Sequence, residues 1–497
     1  MSHFRLQITM IFLNVFFTLG GFLVHAQSFM PQERPLFNQF SYPIKERIRA
    51  IDVVVGQKKS NILLLTRQGE YPNWDYSLRL LGFEQKQWQV KYQYKLGAKV
   101  LYYSSLNLPN NEQAIVLWDD QGIVMHRTQQ GSWQNYQILQ WQNELQKPTL
   151  FNRNNEPAYV SVLKDPKSPN NISLFMNQSL HRFTINADTI KHELNYQPKL
   201  PLYVSSSRHS LPLEFKFAAK QSVYYPNVAK GKYKGNDALF FSWVDQVDIF
   251  SWQTAKHLKH FNFNQLSENE RDSGQAMSSV NMLDLNGDEH MDYVLNISLG
   301  SPTQMRSRSS VHYGQANGEV NMKGVKFNAN ADRASGLIAY DLNKDKHYEF
   351  VSASGQFNVW SILKALTKRQ VDITFSTYEG QKKMQQFGPA IAQKKLTFGF
   401  NLNDLNLEGI LPNIEHDFNA DGLNDVFYAQ NNRKLSVILQ KKDKEMYFEN
   451  QVVGDYEVNI PKYHRLGDFN GDQKTDIVLF STKPKENKAI TTLINNL

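Results

Sequence analysis

The chain has 497 residues, 41% hydrophobic and 21% charged, enough to bury a large core in one to three domains. It contains no cysteine, which excludes disulfides, thiolate metal sites, cysteine nucleophiles and a lipid-modified N-terminal cysteine. The formal charge of +8 favours anionic surfaces such as acidic polysaccharide or lipid headgroups. Charge alone would admit DNA, but there is no helix-turn-helix, zinc-finger or RNP-like signature, so no nucleic-acid partner is expected.

At the N-terminus, Arg5 precedes an apolar run, 6–24, that ends at Val24-His25-Ala26 before Gln27. This reads as a secretory signal over residues 1–26, although a run of that length is also at the lower limit for an anchoring helix. No later segment is apolar for long enough to span a bilayer. After cleavage near Ala26 the chain is therefore expected to be secreted or held in the periplasm or cell envelope, with no transmembrane segment. Next comes "LFNQFSYPI", 36–44, whose alternation predicts a strand. Four runs follow in which a polar turn leads into an apolar strand: "SNILLLT" around Asn61, "QAIVLW" around Ala114, "PAYVSVL" around Ala158 and "GKYKGNDALFFSW" around Asp237.

The same pattern then recurs four times with carboxylates added. Asp284, Asn286, Asp288, His290 and Asp292 stand at positions 1, 3, 5, 7 and 9 of the first loop. Asp341, Asn343, Asp345, His347 and Glu349 do so in the second, Asp417, Asn419, Asp421, Leu423 and Asp425 in the third, and Asp468, Asn470, Asp472, Lys474 and Asp476 in the fourth. Like charges this close repel unless a cation screens them. Calcium takes six to eight hard oxygens, and side chains at positions 1, 3, 5 and 9 with the carbonyl at 7 can wrap around it. About four calcium ions are expected. An EF-hand begins the same way but needs a bidentate Glu at position 12. Here that position holds Leu295, Ser352, Tyr428 and Leu479 in runs that read as strand.

The eight apolar anchors lie 44 to 79 residues apart, and further short alternating runs between them bring the count to about four strands per repeat. Helical periodicity is scarce; "NVWSILKALTKRQ" from Asn358 is the best candidate, with strand and turn as the alternative. Repeats of four strands point to an all-β β-propeller, with eight blades favoured and seven the alternative. The reading is one domain over 27–497, with insertions near 164–226 and 371–412 and calcium-loop repeats over 281–481. Only two strands remain after Asp476, "DIVLFS" and "AITTLINNL", so the strand at 36–44 is expected to cover the open edge of the last blade.

The four loops resemble the FG-GAP/VCBS repeats of integrin α-subunit propellers and of many secreted bacterial proteins, D-x-[DN]-x-D-G-x-x-D before an apolar strand. The resemblance is specific over 281–481. It implies calcium in a loop between the first and second strands of a blade, and an adhesion or binding role. There are departures: only Gly422 occupies the family's sixth-position glycine, where Glu289, Lys346 and Gln473 stand elsewhere. The Asp341 loop also lacks glycine at position 4 and ends in Glu349, so it is expected to be the poorest cage.

No G-x-S-x-G elbow, P-loop, H-E-x-x-H or dinucleotide glycine pattern is present. His257 and His260 are separated by an odd number, which places them on opposite faces of a strand, as solvated or packing residues. The imidazoles of His290, His347 and His416 are expected to face solvent, and most aromatic residues to pack between blades. The leading function is a non-catalytic, exported calcium-binding module for adhesion. A lectin, or a polysaccharide lyase or dehydratase built on a propeller, is the alternative. The partner is expected to be an envelope protein or an anionic glycan. It would dock on the face opposite the calcium loops, where "KDPKSPNN" from Lys164, "QMRSRSS" from Gln304, Lys199, Arg208, Lys216, Lys220 and the stretch with Lys382, Lys383, Lys394 and Lys395 are placed.

Overall fold

The computed structural model describes residues 36–497 apart from connecting stretches, the longest being 141–157, 208–219 and 441–451. The signal expected over 1–26 lies outside the described residues. Eight sheets of four or more strands follow one another among the described residues, at 47–96, 100–140, 163–196, 227–262, 277–327, 333–407, 410–457 and 463–495; they are called sheets 1 to 8. A two-stranded ribbon, Tyr203–Ser207 with Lys220–Tyr224, lies between sheets 3 and 4.

The second strand of a sheet is nearly continuous in apolar residues because both of its faces are covered. In Asn61–Gln68, Ile62 and Leu64 pack toward sheet 8 while Leu63 and Leu65 pack toward sheet 2. In Asp425–Asn431, Val426 and Tyr428 join sheet 6, and Phe427 and Ala429 join sheet 8. In Asp476–Phe480, Ile477 and Leu479 face sheet 7, and Val478 and Phe480 face sheet 1. The core is thus a series of shared layers, 3 with 4, 4 with 5, 5 with 6, 6 with 7, 7 with 8, 8 with 1 and 1 with 2. Sheets stacked face to face in chain order, with the last packed against the first, make a β-propeller.

Several readings from sequence change. "PAYVSVL" does not mark a second strand: Ala158–Tyr159 runs parallel to the first strand of sheet 2, and Leu163–Asp165 is the first strand of sheet 3. "KDPKSPNN" accordingly leads from a first strand into a second, Ser168–Met176, which puts it on the side of the first-to-second loops and not on the opposite face. Residues 371–412 are no insertion, since Gln370–Tyr378 and Ala392–Asn401 are the third and fourth strands of sheet 6. The extra length there is a helix, α1(Val359–Lys368), pinned by Lys364 to Asp372 of the third strand at 2.6 Å. The sequence from Asn358 could not separate helix from strand because its apolar residues form one short segment.

Sheet 8 is closed by the other end of the chain. Its strands pair in the order Tyr463–Gly467, Asp476–Phe480, Ala489–Asn495 and finally Phe37–Pro43, which runs antiparallel to Ala489–Asn495 over seven residue pairs from Phe37↔Asn495 to Pro43↔Ala489. Phe37 is 1% exposed and enters the layer between sheets 7 and 8. Phe37→Ala is therefore expected to cost about 3–5 kcal/mol in thermal or urea unfolding, while Asn38→Ala, on the exposed side, should cost under about 1 kcal/mol.

Candidate metal loops

Each of the four carboxylate loops joins the first strand of a sheet to the second, in sheets 5, 6, 7 and 8. They share one internal pattern. The first aspartate accepts the N–H of position 6: Glu289 to Asp284 at 2.9 Å, Lys346 to Asp341 at 3.2 Å, Gly422 to Asp417 at 2.8 Å and Gln473 to Asp468 at 2.9 Å. The asparagine at position 3 accepts the N–H of position 5, and the aspartate at position 5 accepts that of position 7, all at 2.8–3.2 Å.

These turns force φ positive at positions 4 and 6 in every loop: Gly287 and Glu289, Lys344 and Lys346, Ala420 and Gly422, Gly471 and Gln473. The missing glycines of the family pattern therefore change the strain and not the backbone. The Asp341 loop, which departs most in sequence, has the same shape as the others.

Position 9 is turned inward. Asp292, Asp425 and Asp476 are fully buried and Glu349 is 3% exposed. Each accepts the N–H of position 2: Leu285 at 2.9 Å, Leu342 at 3.0 Å, Phe418 at 2.6 Å and Phe469 at 2.8 Å. The three aspartates also accept, on the other oxygen, an N–H from Gly314, Gln440 or Asn495. Burial pushes all four carboxyls up to about 7, and the carboxylates at positions 1 and 5 push in the same direction.

The loops are also tied from sheet to sheet. Tyr348 N–H donates to the Leu285 carbonyl at 3.0 Å, Thr475 N–H and Oγ1 donate to the Asp417 carbonyl at 3.1 and 2.6 Å, and Ser60 N–H donates to the Asp468 carbonyl at 2.5 Å. Lys344 reaches Asn424 at 3.2 Å. A belt of loop contacts thus runs from sheet 5 to sheet 1.

The donors fit a hard divalent cation. Each loop offers carboxylates, one amide and main-chain carbonyls, the oxygen set calcium takes. Asp341 Oδ1 is buried with no hydrogen-bond partner, and a cation would satisfy it. Among the described residues no three Asp, Glu or His side chains gather around one centre by themselves. The asparagine and the position-7 carbonyl of His290, His347, Leu423 or Lys474 would have to complete the shell.

Other polar residues differ from expectation. His257 and His260 are not on opposite faces: a register shift between Ile249 and Phe250 brings His257 Nε2 and His260 Nδ1 to the same oxygen of buried Asp248, at 3.0 and 2.9 Å. His290, His347 and His416 are half-buried, not turned to solvent. Lys394 and Lys395 are also engaged by the fold. Lys395 pairs with Asp372 at 2.9 Å, and burial lowers the Lys394 ammonium to about 8. The residues that sequence reasoning missed are Ser60, Thr475 and Asn495, which clasp the loops from neighbouring elements. No local pattern marks them.

Residues 417–479, which hold the third and fourth loops, match the FG-GAP-like repeat family. No curated protein matches the sequence. Among solved structures the chain is similar to Sqt1 from Chaetomium thermophilum, with TM-score 0.41, 9% identity and 91% of this chain and 97% of that one covered. It is also similar to the Nup133 β-propeller domain of Vanderwaltozyma polyspora (0.37, 9%, 90% and 100%). A third is the V. cholerae biofilm matrix protein Bap1 (0.37, 10%, 91% and 88%).

The shared left-handed positions make a paired prediction. A Cβ on Gly422 would meet nothing within 4 Å, so Gly422→Ala carries only the backbone cost, about 1 kcal/mol. Gln473→Gly at the equivalent position should instead gain about 0.5–1 kcal/mol. Opposite shifts in denaturant midpoint are the expected result.

Proposed function

We propose that this β-propeller, with its FG-GAP-like repeat at 417–479, is an exported, calcium-stabilised module that binds an anionic glycan or acidic protein surface of the cell envelope without transforming it. The observation that carries the reading is one oxygen-lined loop repeated on four successive sheets, each with a buried ninth carboxylate that two further carboxylates destabilise. Bound calcium would supply positive charge at those oxygens and hold the loops in one conformation.

The docking face differs from the one expected from sequence. The stretch 379–391 connects a third strand to a fourth, so it lies on the same side as the first-to-second loops. Met384 packs with Leu285 of the first loop, and a Cβ at Gly380 would run into the Tyr348 carbonyl of the second. Exposed Lys344 and Lys346 belong to that same face, while Lys382 and Lys383 lie outside the described residues. Calcium would offset the loop carboxylates, which leaves the basic side chains of that face to favour an anionic partner.

A second reading, recognition of a neutral sugar, is favoured by one surface. Tyr92 and Tyr94 on the fourth strand of sheet 1 are half-buried beside the layer with sheet 2, 6.4 Å apart and within 6° of parallel, with Trp133 of sheet 2 at 4.2 Å from Tyr92. The apolar face of a pyranose can stack on such rings.

Two measurements test these readings. With millimolar calcium and a dissociation constant near 10 μM, each loop should add about 2.7 kcal/mol, so melting midpoints in calcium should exceed those in EDTA. Asp341→Ala should remove its share as fully as Asp417→Ala, and equal midpoints with and without calcium would overturn the calcium reading. On immobilised acidic polysaccharide, retention should fall between about 0.05 and about 0.5 M salt. Lys382→Ser with Lys383→Ser should reduce it without moving the midpoint. Retention that ignores salt and disappears in Tyr94→Ala would favour the neutral sugar.

A further inference from the structure

We infer that the closure seam and the last two loops form one coupled unit, so that calcium in the Asp417 and Asp468 loops holds the first strand, Phe37–Pro43, in the ring. This rests on the calcium reading proposed above. The link is Asn495, the register partner of Phe37 and 3% exposed. Its N–H donates to Asp476 Oδ1 at 2.9 Å. Its side-chain amide donates to the carbonyls of Phe418 at 2.6 Å and Thr475 at 3.2 Å, and its Oδ1 accepts the N–H of Leu497 at 2.9 Å. One side chain therefore holds position 2 of the third loop and position 8 of the fourth, while its main chain holds position 9 of the fourth.

The first strand is reached from the same place. The Phe37 ring meets Phe418 edge-on, with centroids 6.4 Å apart, and Phe418 in turn donates its N–H to Asp425. Asn496 N–H donates to the Leu36 carbonyl at 3.0 Å, and Asn38 Nδ2 donates to Asn496 Oδ1 at 2.7 Å. Lys474, position 7 of the fourth loop, donates from Nζ to the Leu497 carbonyl. The Asp284 and Asp341 loops are tied to each other through Tyr348 and Leu285, on sheets 5 and 6, and their link to the third loop is the exposed side-chain bond from Lys344 to Asn424, which touches neither Asn495 nor the first strand.

An ion-free loop carries unscreened carboxylates that repel. Any relaxation in the third or fourth loop displaces the carbonyls and the carboxylate that Asn495 grips, and so loosens the strand pair that Asn495 ends. The coupling is reciprocal: whatever factor calcium lends the seam, a closed seam lends to calcium affinity at those two loops.

Hydrogen exchange of the peptide 37–43, measured beside calorimetric calcium titration, tests this. In the wild type, calcium should slow exchange of 37–43 by about tenfold relative to EDTA. The pair Asp284→Ala with Asp341→Ala should keep that protection while losing about two ions. Asp417→Ala with Asp468→Ala should lose both. Asn495→Ala should weaken about two of the four sites and abolish the calcium effect on 37–43, which decides the matter even if the double aspartate variant does not fold. Calcium binding that leaves wild-type exchange of 37–43 unchanged would overturn this inference alone. No calcium binding at all would overturn it together with the reading on which it rests.

Discussion

A sheet with apolar side chains on both faces must have a neighbour on each side. That constraint shapes this molecule. Alternate residues of one strand, Val426 and Tyr428 against Phe427 and Ala429, belong to different layers, so no sheet can be the end of a row without exposing several large side chains to water. A chain of such sheets is stable when the row returns on itself. The pairing of Phe37–Pro43 with Ala489–Asn495 meets that requirement and also covers an edge that would otherwise present unpaired backbone groups.

The loops inherit their rigidity from the same layers. Position 2 is an apolar residue, Leu285, Leu342, Phe418 or Phe469, buried at 3% exposure or less, and its N–H must find an acceptor because water is absent there. The ninth-position carboxylate supplies it. A buried carboxylate is costly by itself, and it is held by backbone N–H groups from the loop and, in three of the four, from elsewhere in the fold. The outcome is a polar loop of fixed shape anchored in an apolar layer. This explains why left-handed backbone is tolerated at Glu289, Lys344, Lys346, Ala420 and Gln473, since the anchoring fixes the turn whatever residue occupies it.

Departures from the sequence reading share a cause, which is dependence on strand register. His257 and His260 meet on Asp248 only because the fourth strand of sheet 4 carries a bulge, and an extra residue in one strand reverses an odd–even argument. The stretch around Ala158 was read as a second strand from its apolar content, yet the ladder uses it elsewhere. The basic stretch after Tyr378, expected on the face opposite the calcium loops, changed faces because Ala392–Asn401 pairs with the strand before it and the stretch is a connection within one sheet.

The first-to-second placement of the carboxylate loops came from their resemblance to FG-GAP/VCBS repeats, while spacing and composition by themselves determined the all-β class, the four-strand repeat and the N-terminal strand that closes the last sheet. These depend on local periodicity and on charges a few residues apart, which a one-dimensional pattern carries in full. Only the tertiary structure decided which face the basic stretch shares, that the loops are linked from sheet to sheet, and that Asn495 joins two of them to the seam. Those relations connect residues that are 20, 77 or 458 positions apart. Nothing in the local sequence around an asparagine at the end of a strand records which distant carbonyls it will meet; the closing of the ring sets that.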